Sequence, residues 1–396
     1  MNETSFKYVK QHLHEDVTTL ALRGSRDTDV DLPWALDQIQ GWQTARKKLP
    51  SWAAVDGIVY PPHLSMEQCS SEQTALYKRV VAERLPLASP KTLIDLTGGF
   101  GVDFAFMATR FDKACYVEQE EQLCNGALHN FQLLGLDHAR VIHDTAEQAL
   151  DNMATSPAST LIYIDPARRD SNSARTYAIA DCSPNVLNLM DKLFNAAHHL
   201  LIKLSPMLDW HKAVNDLGHR VAEVHIVSTG NECKELLVLM DIHHEGSPVI
   251  HCVNNNQSLI YEPSQDAALP VVAASGEGKF LYEPNASVMK AGCFGLLSQR
   301  YSLKAVSIDS HLFVSDEEVT DFPGRQFAVT AVTSMNKKEL AITLKGVTRA
   351  NVAVRNFPMS AVDLRKRLKV QDGGNTYIFG TTDASGQRQL YICTKQ

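Results

Sequence analysis

The 396-residue sequence has no run of about 18 consecutive apolar residues, so no membrane-spanning helix is expected. Its first residues, MNETSFKYVKQHLHED, lack the apolar core of a secretory signal. Cysteine occurs at positions 69, 115, 124, 182, 233, 252, 293 and 393, never as a Cys-x-x-Cys pair. Scattered thiols of that kind argue against a zinc ribbon or a disulfide scaffold and fit a reducing cytoplasm; no metal site is expected. There is no long internal repeat and no low-complexity tract, so a repeat array is excluded.

What is present suits a globular protein of two or three domains: 44% of the residues are hydrophobic and 21% charged. The net charge of −7 is unevenly placed. Residues 325–396 hold 12 Lys and Arg against 4 Asp and Glu, a balance of +8, which leaves 26 against 41, or −15, for the rest. A basic terminal module on an acidic body suggests a polyanionic partner; the alternative is a merely solvated basic face.

Residues 1–89 read as mostly helical, with apolar positions three to four apart over 17–22, 32–39 and 76–85. Trp34, Trp42 and Trp52 read as core or lid packing, and Ser70-x-x-Gln73 reads as a capping box. Residues 90–245 alternate strand and helix: strands at 92–97, 114–118, 140–143, 160–165 and 200–204, with helices at 102–110, 120–134, 146–153, 184–198 and 207–217. Repeated βα units predict a doubly wound parallel sheet. Strands at 220–228 and 235–241 have no helical pattern between them, so the last strand should run antiparallel. Residues 246–324 form a connecting region with extended stretches at 248–254 and 279–282, then a turn and short helix over 282–292. Residues 325–396 predict strands at 326–334, 341–344, 350–356, 376–381 and 389–394 with a helix at 360–368, a small α+β module of ferredoxin-like type.

Ligands of open parallel sheets bind outside the carboxyl ends of the strands. Here the first strand ends in TLIDLTGGFGVD, with Asp95, Thr97 and the glycines 98, 99 and 101 forming a strand–helix turn. The second ends in Glu118, placed to accept both ribose hydroxyls of a nucleoside; the third ends in Asp144-Thr145, placed to recognise an adenine edge. The fourth ends in Asp165-Pro166-Ala167-Arg168-Arg169, and the fifth carries Lys203. Three carboxylates in register after a glycine turn point to a nucleoside cofactor. A dinucleotide fingerprint G-x-G-x-x-G needs a third glycine, and counting from Gly99 that position is Phe104, which favours S-adenosylmethionine over NAD.

On these residues the 90–245 core resembles class I S-adenosylmethionine-dependent methyltransferases. DLTGGFGVD resembles their first motif, with Thr97 and Gly98 departing from the commoner Gly-Cys, and DPARR resembles their fourth. The whole chain, including IDPARRD, ADCSPN, IKLSPMLD, YEPNASVMKAG and the basic terminus, is similar to a bacterial group of methyltransferases with a THUMP-like C-terminal domain. The resemblance implies a Rossmann-like methyltransferase sheet, an RNA substrate with tRNA favoured, and a cytoplasmic enzyme. It places Asp95, Thr97, Gly98, Gly99, Gly101, Glu118, Asp144, Thr145 and Asp165 on the cofactor, and Asp165, Pro166 and Lys203 in catalysis.

Three acceptor chemistries stay open. Exocyclic-amine methylation departs at Ala167 and Arg168, where a second proline and an aromatic are usual; uridine C5 methylation needs a cysteine, for which Cys182 is the nearest candidate. Ribose 2′-O-methylation resembles a Lys-Asp-Lys-Glu set, here Lys78, Asp165, Lys203 and Glu235, with Lys203 lowered toward base function. The other reading of Lys203 is a structural pair with Asp165. Arg168, Arg169 and Arg175 on one loop, and Arg355, Arg365, Lys366 and Arg367 in the terminal module, are candidates for substrate phosphates, with Phe357, Tyr377 and Phe379 as stacking platforms. The rival functions are a non-catalytic RNA-binding protein with a degenerate methyltransferase core and a small-molecule methyltransferase.

Overall fold

The computed structural model describes residues 2–25, 27–168, 179–266 and 268–395, with Arg168 given by its backbone alone. The chain divides into two compact units, Met1–Glu223 with Lys234–Gly246, and Val224–Cys233 with Ser247–Gln396.

The first unit opens with helices α1 (Glu3–His12), α2 (Val17–Arg23), α3 (Leu32–Lys48), α4 (Pro50–Ala53), α5 (His63–Gln68) and α6 (Glu72–Glu83). Asn2, Asp16, Asp31 and Ser71 cap four of them by accepting a backbone N–H three residues on. The α6 cap is Ser71, not Ser70; the Ser70 hydroxyl is instead engaged by a buried carboxylate, Asp103, at 2.8 Å. The segment between α4 and α5 is laced down by two side-chain amides. Gln38 and Asn130 each exchange a pair of hydrogen bonds with the backbone, of Tyr60 and Val59 respectively, at 2.8–2.9 Å. The three tryptophans have different partners: Trp34 packs on Phe6, Trp42 donates to the Ala53 carbonyl, and Trp52 is buried edge-on against Phe100.

The βα units follow as β1 (Thr92–Asp95), α7 (Val102–Ala108), β2 (Lys113–Glu118), α8 (Glu121–Leu133), β3 (Ala139–His143), α9 (Ala146–Asn152) and β4 (Thr160–Ile164). A short antiparallel pair, β5 (Ala167–Arg168) and β6 (Cys182–Ser183), precedes α10 (Val186–Ala196), β7 (His199–Leu204), α11 (Trp210–Leu217), β8 (Val221–Thr229) and β9 (Glu232–Asp241). Within the first unit the sheet runs β9-β7-β4-β1-β2-β3. The five inner pairings of this doubly wound sheet are parallel except β9, which runs antiparallel to β7 as its hairpin origin requires. β8 and β9 meet at Gly230-Asn231, both left-handed at φ 59° and 63°, the backbone of a two-residue hairpin turn. β4 is buried at every residue because helices cover both faces. Strand order reverses between β1 and β4, which opens a crevice at their carboxyl ends.

In the second unit β10 (Val249–Asn254) and β11 (Gln257–Tyr261) form an antiparallel hairpin. Then come β12 (Phe280–Pro284), α12 (Ala286–Ala291), α13 (Phe294–Arg300), β13 (Lys304–Ala305), β14 (Phe313–Ser315), β15 (Gly324–Ser334), α14 (Lys337–Thr343), β16 (Asn351–Arg355), α15 (Ala361–Leu368), β17 (Thr376–Thr382) and β18 (Arg388–Lys395). One seven-stranded sheet holds them in the order β13-β14-β12-β15-β18-β17-β16, so pairing continues across residue 324. One face of it buries Leu281, Phe327, Phe379 and Tyr391; the other buries Ile378, Leu390 and Ile392 with Leu364 of α15. The strand expected at 341–344 is instead the end of α14. Asn336 caps that helix through the Lys338 N–H, and Leu340 and Leu344, one turn apart, pack on the second cluster. Among the described residues no helix is long and apolar enough to cross a membrane.

Candidate active site

The carboxyl ends of β1–β4 and the α5–α6 corner enclose a cleft of about 300 Å³ in the first unit. Its floor is the glycine turn. Gly98 lies so close to Tyr116 of β2 that a Cβ would sit 2.1 Å from the ring, and Gly101, at φ +84°, faces Phe131 at 2.9 Å. Only glycine lets the turn lie this flat on β2 and α8. The Tyr116 hydroxyl then donates to the Gly99 carbonyl at 2.5 Å. Glu118 faces the same turn: one oxygen accepts the Gly99 N–H at 2.8 Å and the other the Glu120 N–H at 2.9 Å. A carboxylate has about four acceptor positions, so both oxygens keep one free for a diol. Asp144 accepts the Thr145 N–H at 2.8 Å through one oxygen only.

Asp95 is buried, and burial pushes its carboxyl well above the usual range; Asp103, Asp165 and Glu118 push the same way against the Thr97 N–H. Thr97 joins two strand ends. Its N–H donates to Asp95 at 2.9 Å, and its hydroxyl accepts the Asp165 N–H at 2.7 Å. The unusual threonine in the glycine motif thereby ties the turn after β1 to the loop after β4.

Below the β4 end lies a buried charge cluster. Lys78 of α6 has no exposed surface; its Nζ lies 2.7 Å from Glu235 Oε2, 3.1 Å from Asp103 Oδ1 and 3.1 Å from Ser70 Oγ. Asp103 Oδ2 also accepts from Ser70 Oγ at 2.8 Å and from the Tyr163 hydroxyl at 2.7 Å. Burial raises Asp103, but Lys78, Lys203 and the two hydroxyls outweigh it and leave the carboxyl below its ordinary value. Glu235 goes the other way: burial raises it, and Lys78 only partly opposes that. Beside them Lys203 binds Asp165 Oδ2.

Lys203 corrects the expectation of a lowered lysine. Burial alone pulls it down, but Asp165, Asp103 and Glu235 together outweigh burial and raise it above an ordinary lysine. It is a cation, paired with Asp165. Lys78 and Glu235, with which it was grouped, are 0% and 2% exposed and do not line the cleft. Cys182 is buried on β6, opposite Arg168.

Of the other residues singled out in the sequence, Asp95, Thr97, Gly98, Gly99, Gly101, Glu118, Asp144 and Asp165 all line the cleft. Thr145 caps α9 through the Gln148 N–H, and Pro166 is buried between Asp165 and Ala167. Arg169 and Arg175 lie outside the described residues, as does the Arg168 side chain. In the second unit Arg355 pairs with Glu283 at 2.8 Å and Arg365 with Asp372 at 2.5 Å, whereas Lys366 and Arg367 stand exposed in the last turn of α15. Phe379 is 1% exposed, and Tyr377 packs with it on Phe327, so neither stands free for stacking; Phe357 packs in the opposite cluster. Sequence reasoning missed Ser70, Asp103 and Tyr163. Asp103 closes the glycine motif as a first-turn acid, an ordinary helix-dipole position that gives no hint of its buried partners.

The protein in a crystal structure described as a putative methyltransferase from Porphyromonas gingivalis W83 is 30% identical to this chain. The match covers 99% of this chain and 97% of that one, with a TM-score of 0.85. The chain belongs to that family. Within this methyltransferase family member, residues 280–323 match a ferredoxin-like domain model and residues 324–395 a THUMP domain-like model. The match to an rRNA methylase from Streptococcus thermophilus covers 42% of this chain and 93% of that one, at 17% identity and a TM-score of 0.32. A protein from Streptococcus mutans, described as a putative methyltransferase in complex with SAH, gives 43% and 97%, at 16% identity and 0.31. No curated protein matches the chain.

Proposed function

We propose that the protein is a cytoplasmic S-adenosylmethionine-dependent methyltransferase acting on RNA, with tRNA the favoured species. The observation that carries the reading is the ring of Asp95, Glu118 and Asp144 at three successive strand ends around a turn that only glycine can form. Membership of the family described above supports methyl transfer. The residues fit the cofactor: Glu118 keeps free positions for the ribose diol, Asp144 keeps one oxygen for the adenine edge, and Leu123 and Ala146 supply apolar wall. Asp95, Thr97 and the glycines line the end that would take the amino-acid half. When bound, the cofactor supplies an electrophilic methyl group; the chain's own part is to orient the acceptor and exclude water, and positioning alone supplies a large share of such a rate. The THUMP-like module, with exposed Lys366, Arg367 and Lys369 on one helix end, is the RNA-binding element of this reading.

Isothermal titration of the full chain with S-adenosylhomocysteine tests the cofactor assignment. Saturable binding that Asp95→Ala weakens at least tenfold is expected; absence of binding by the unaltered protein would refute it and leave an RNA-binding protein with a degenerate core.

A further inference from the structure

Seven residues lining the cleft are Asp or Glu, and none of its described lining residues is Lys, Arg or His. The described lining thus offers a phosphodiester no cation, while its carboxylate oxygens offer acceptors to a hydrogen-bond donor. Three of the carboxylates, Asp95, Glu118 and Asp144, belong to the proposed cofactor end. At the other end stand Asp103 and Asp165 with Ser70, Tyr163 and Ser183. Asp103 is engaged on both oxygens: Ser70 and Tyr163 donate to Oδ2, and the Lys78 ammonium lies 3.1 Å from Oδ1. Asp165 is not. Its Oδ2 is held by Lys203 and its backbone N–H by Thr97, while Oδ1 makes no hydrogen bond within the described residues, on a side chain 38% exposed.

We infer that the acceptor is the N–H edge of an unstacked nucleobase, an exocyclic amine or ring N–H, which enters the cleft without its phosphates and donates to Asp165 Oδ1. This rests on the RNA methyltransferase reading above. Lys203 is the positioning residue that fixes the Asp165 carboxylate. In the transfer step the acceptor nitrogen's lone pair forms the new N–C bond. The methyl–sulfur bond breaks with its electron pair remaining on sulfur, and the proton shed by nitrogen passes to Asp165 or to water. A ribose hydroxyl needs a base to ionise it. The lysine placed here is surrounded by Asp165, Asp103 and Glu235 and is raised, not lowered. Carbon methylation needs a nucleophilic thiolate; Cys69, the one cysteine among the described lining residues, is pushed up to about 11 by burial.

The test is methylation in vitro by the full-length protein, using S-adenosylmethionine and total RNA from a strain lacking the gene, read by nucleoside mass spectrometry. A gain of 14 mass units on a base nitrogen is expected. The same gain on ribose or on a base carbon overturns the inference while leaving RNA methylation standing. No methyl gain in any RNA overturns both readings, with the S-adenosylhomocysteine titration then reporting whether the cofactor site survives. A second arm separates positioning from base catalysis. Lys203→Arg keeps the cation and should retain most of the rate, whereas Lys203→Met should lose about 10²-fold in kcat. An inactive Lys203→Arg that still binds S-adenosylhomocysteine, or a wild-type rate that climbs from pH 7 to 9 in a way Lys203→Met abolishes, would make Lys203 the base and defeat the proposal.

Discussion

Replacing Lys78 by Met removes the cation at the centre of the buried cluster while keeping most of its stem volume, so the loss is chiefly electrostatic. The Nζ lies 2.7 Å from Glu235 and 3.1 Å from Asp103, with no exposed surface. Breaking a buried pair by removing one partner costs about 3–5 kcal/mol. Asp103 keeps the Ser70 and Tyr163 hydroxyls, so Glu235, whose Oε1 makes no hydrogen bond among the described residues, is the worse stranded. The pH dependence has a definite sign. In the wild type, Asp103 lies below its ordinary value and contributes stability that is present above the unfolded value and lost as pH falls through the folded one. Glu235 lies above its ordinary value, so its charged form opposes folding, and the penalty grows as pH rises through that raised value. Without Lys78 both carboxyls move up, so Lys78→Met destabilises more at pH 8 than at pH 5.5, where protonation relieves the stranded acids. Each tenfold change in proton affinity is about 1.4 kcal/mol. The assay is urea unfolding followed by tryptophan fluorescence; Trp34, Trp42, Trp52 and Trp210 all lie in the first unit, so the signal reports on that unit alone. A loss of about 3–5 kcal/mol at pH 8, smaller by about 1 kcal/mol or more at pH 5.5, is expected. The double variant Lys78→Met/Glu235→Gln should recover part of it. A loss under about 1 kcal/mol, or one independent of pH, would refute the argument that this cluster is held by a charged lysine.

Thr97→Val removes the hydroxyl that accepts the Asp165 N–H and should cost about 1–3 kcal/mol, with weaker S-adenosylhomocysteine binding by titration; Thr97→Ser should restore both. Gly98→Ala drives a methyl into the Tyr116 ring and breaks the Tyr116–Gly99 bond, so cofactor binding should fall at least tenfold while the far-ultraviolet circular dichroism is unchanged. Lys366→Glu with Arg367→Glu reverses two exposed charges on α15 and should weaken RNA binding across sequences, with the slope of log affinity against log salt reduced by roughly 1–2. Unchanged affinity would remove that helix end from the RNA-binding reading.

The local chemistry was legible wherever one short stretch sufficed. A turn with three glycines can be read from TLIDLTGGFGVD because positive φ and close backbone approach are local demands. Acids at strand ends can be read because the strand boundary itself places them. The alternation of strands and helices over 90–245 fixed the doubly wound sheet, and the missing helix before the last strand fixed its antiparallel direction. Residues 341–344 were misread because four apolar-rich residues carry no distinguishing period; the cap at Asn336 and the seat for Leu340 and Leu344 decided for helix.

Only the tertiary structure could decide the charge state of Lys203. In the sequence it is a lysine in an apolar strand, for which burial alone predicts a lowered value. The carboxylates that reverse the sign come from the residue after β4, from α7 and from β9, and no spacing rule connects them. Asp103 was hidden for the same reason, since its partners Lys78, Ser70 and Tyr163 lie 25, 33 and 60 residues away along the chain. The sequence alone determined the glycine turn and the acids that surround it, because backbone turns and strand ends are local. Which charges stand paired around Lys78 and Lys203 was settled by long-range contacts, which only folding brings together.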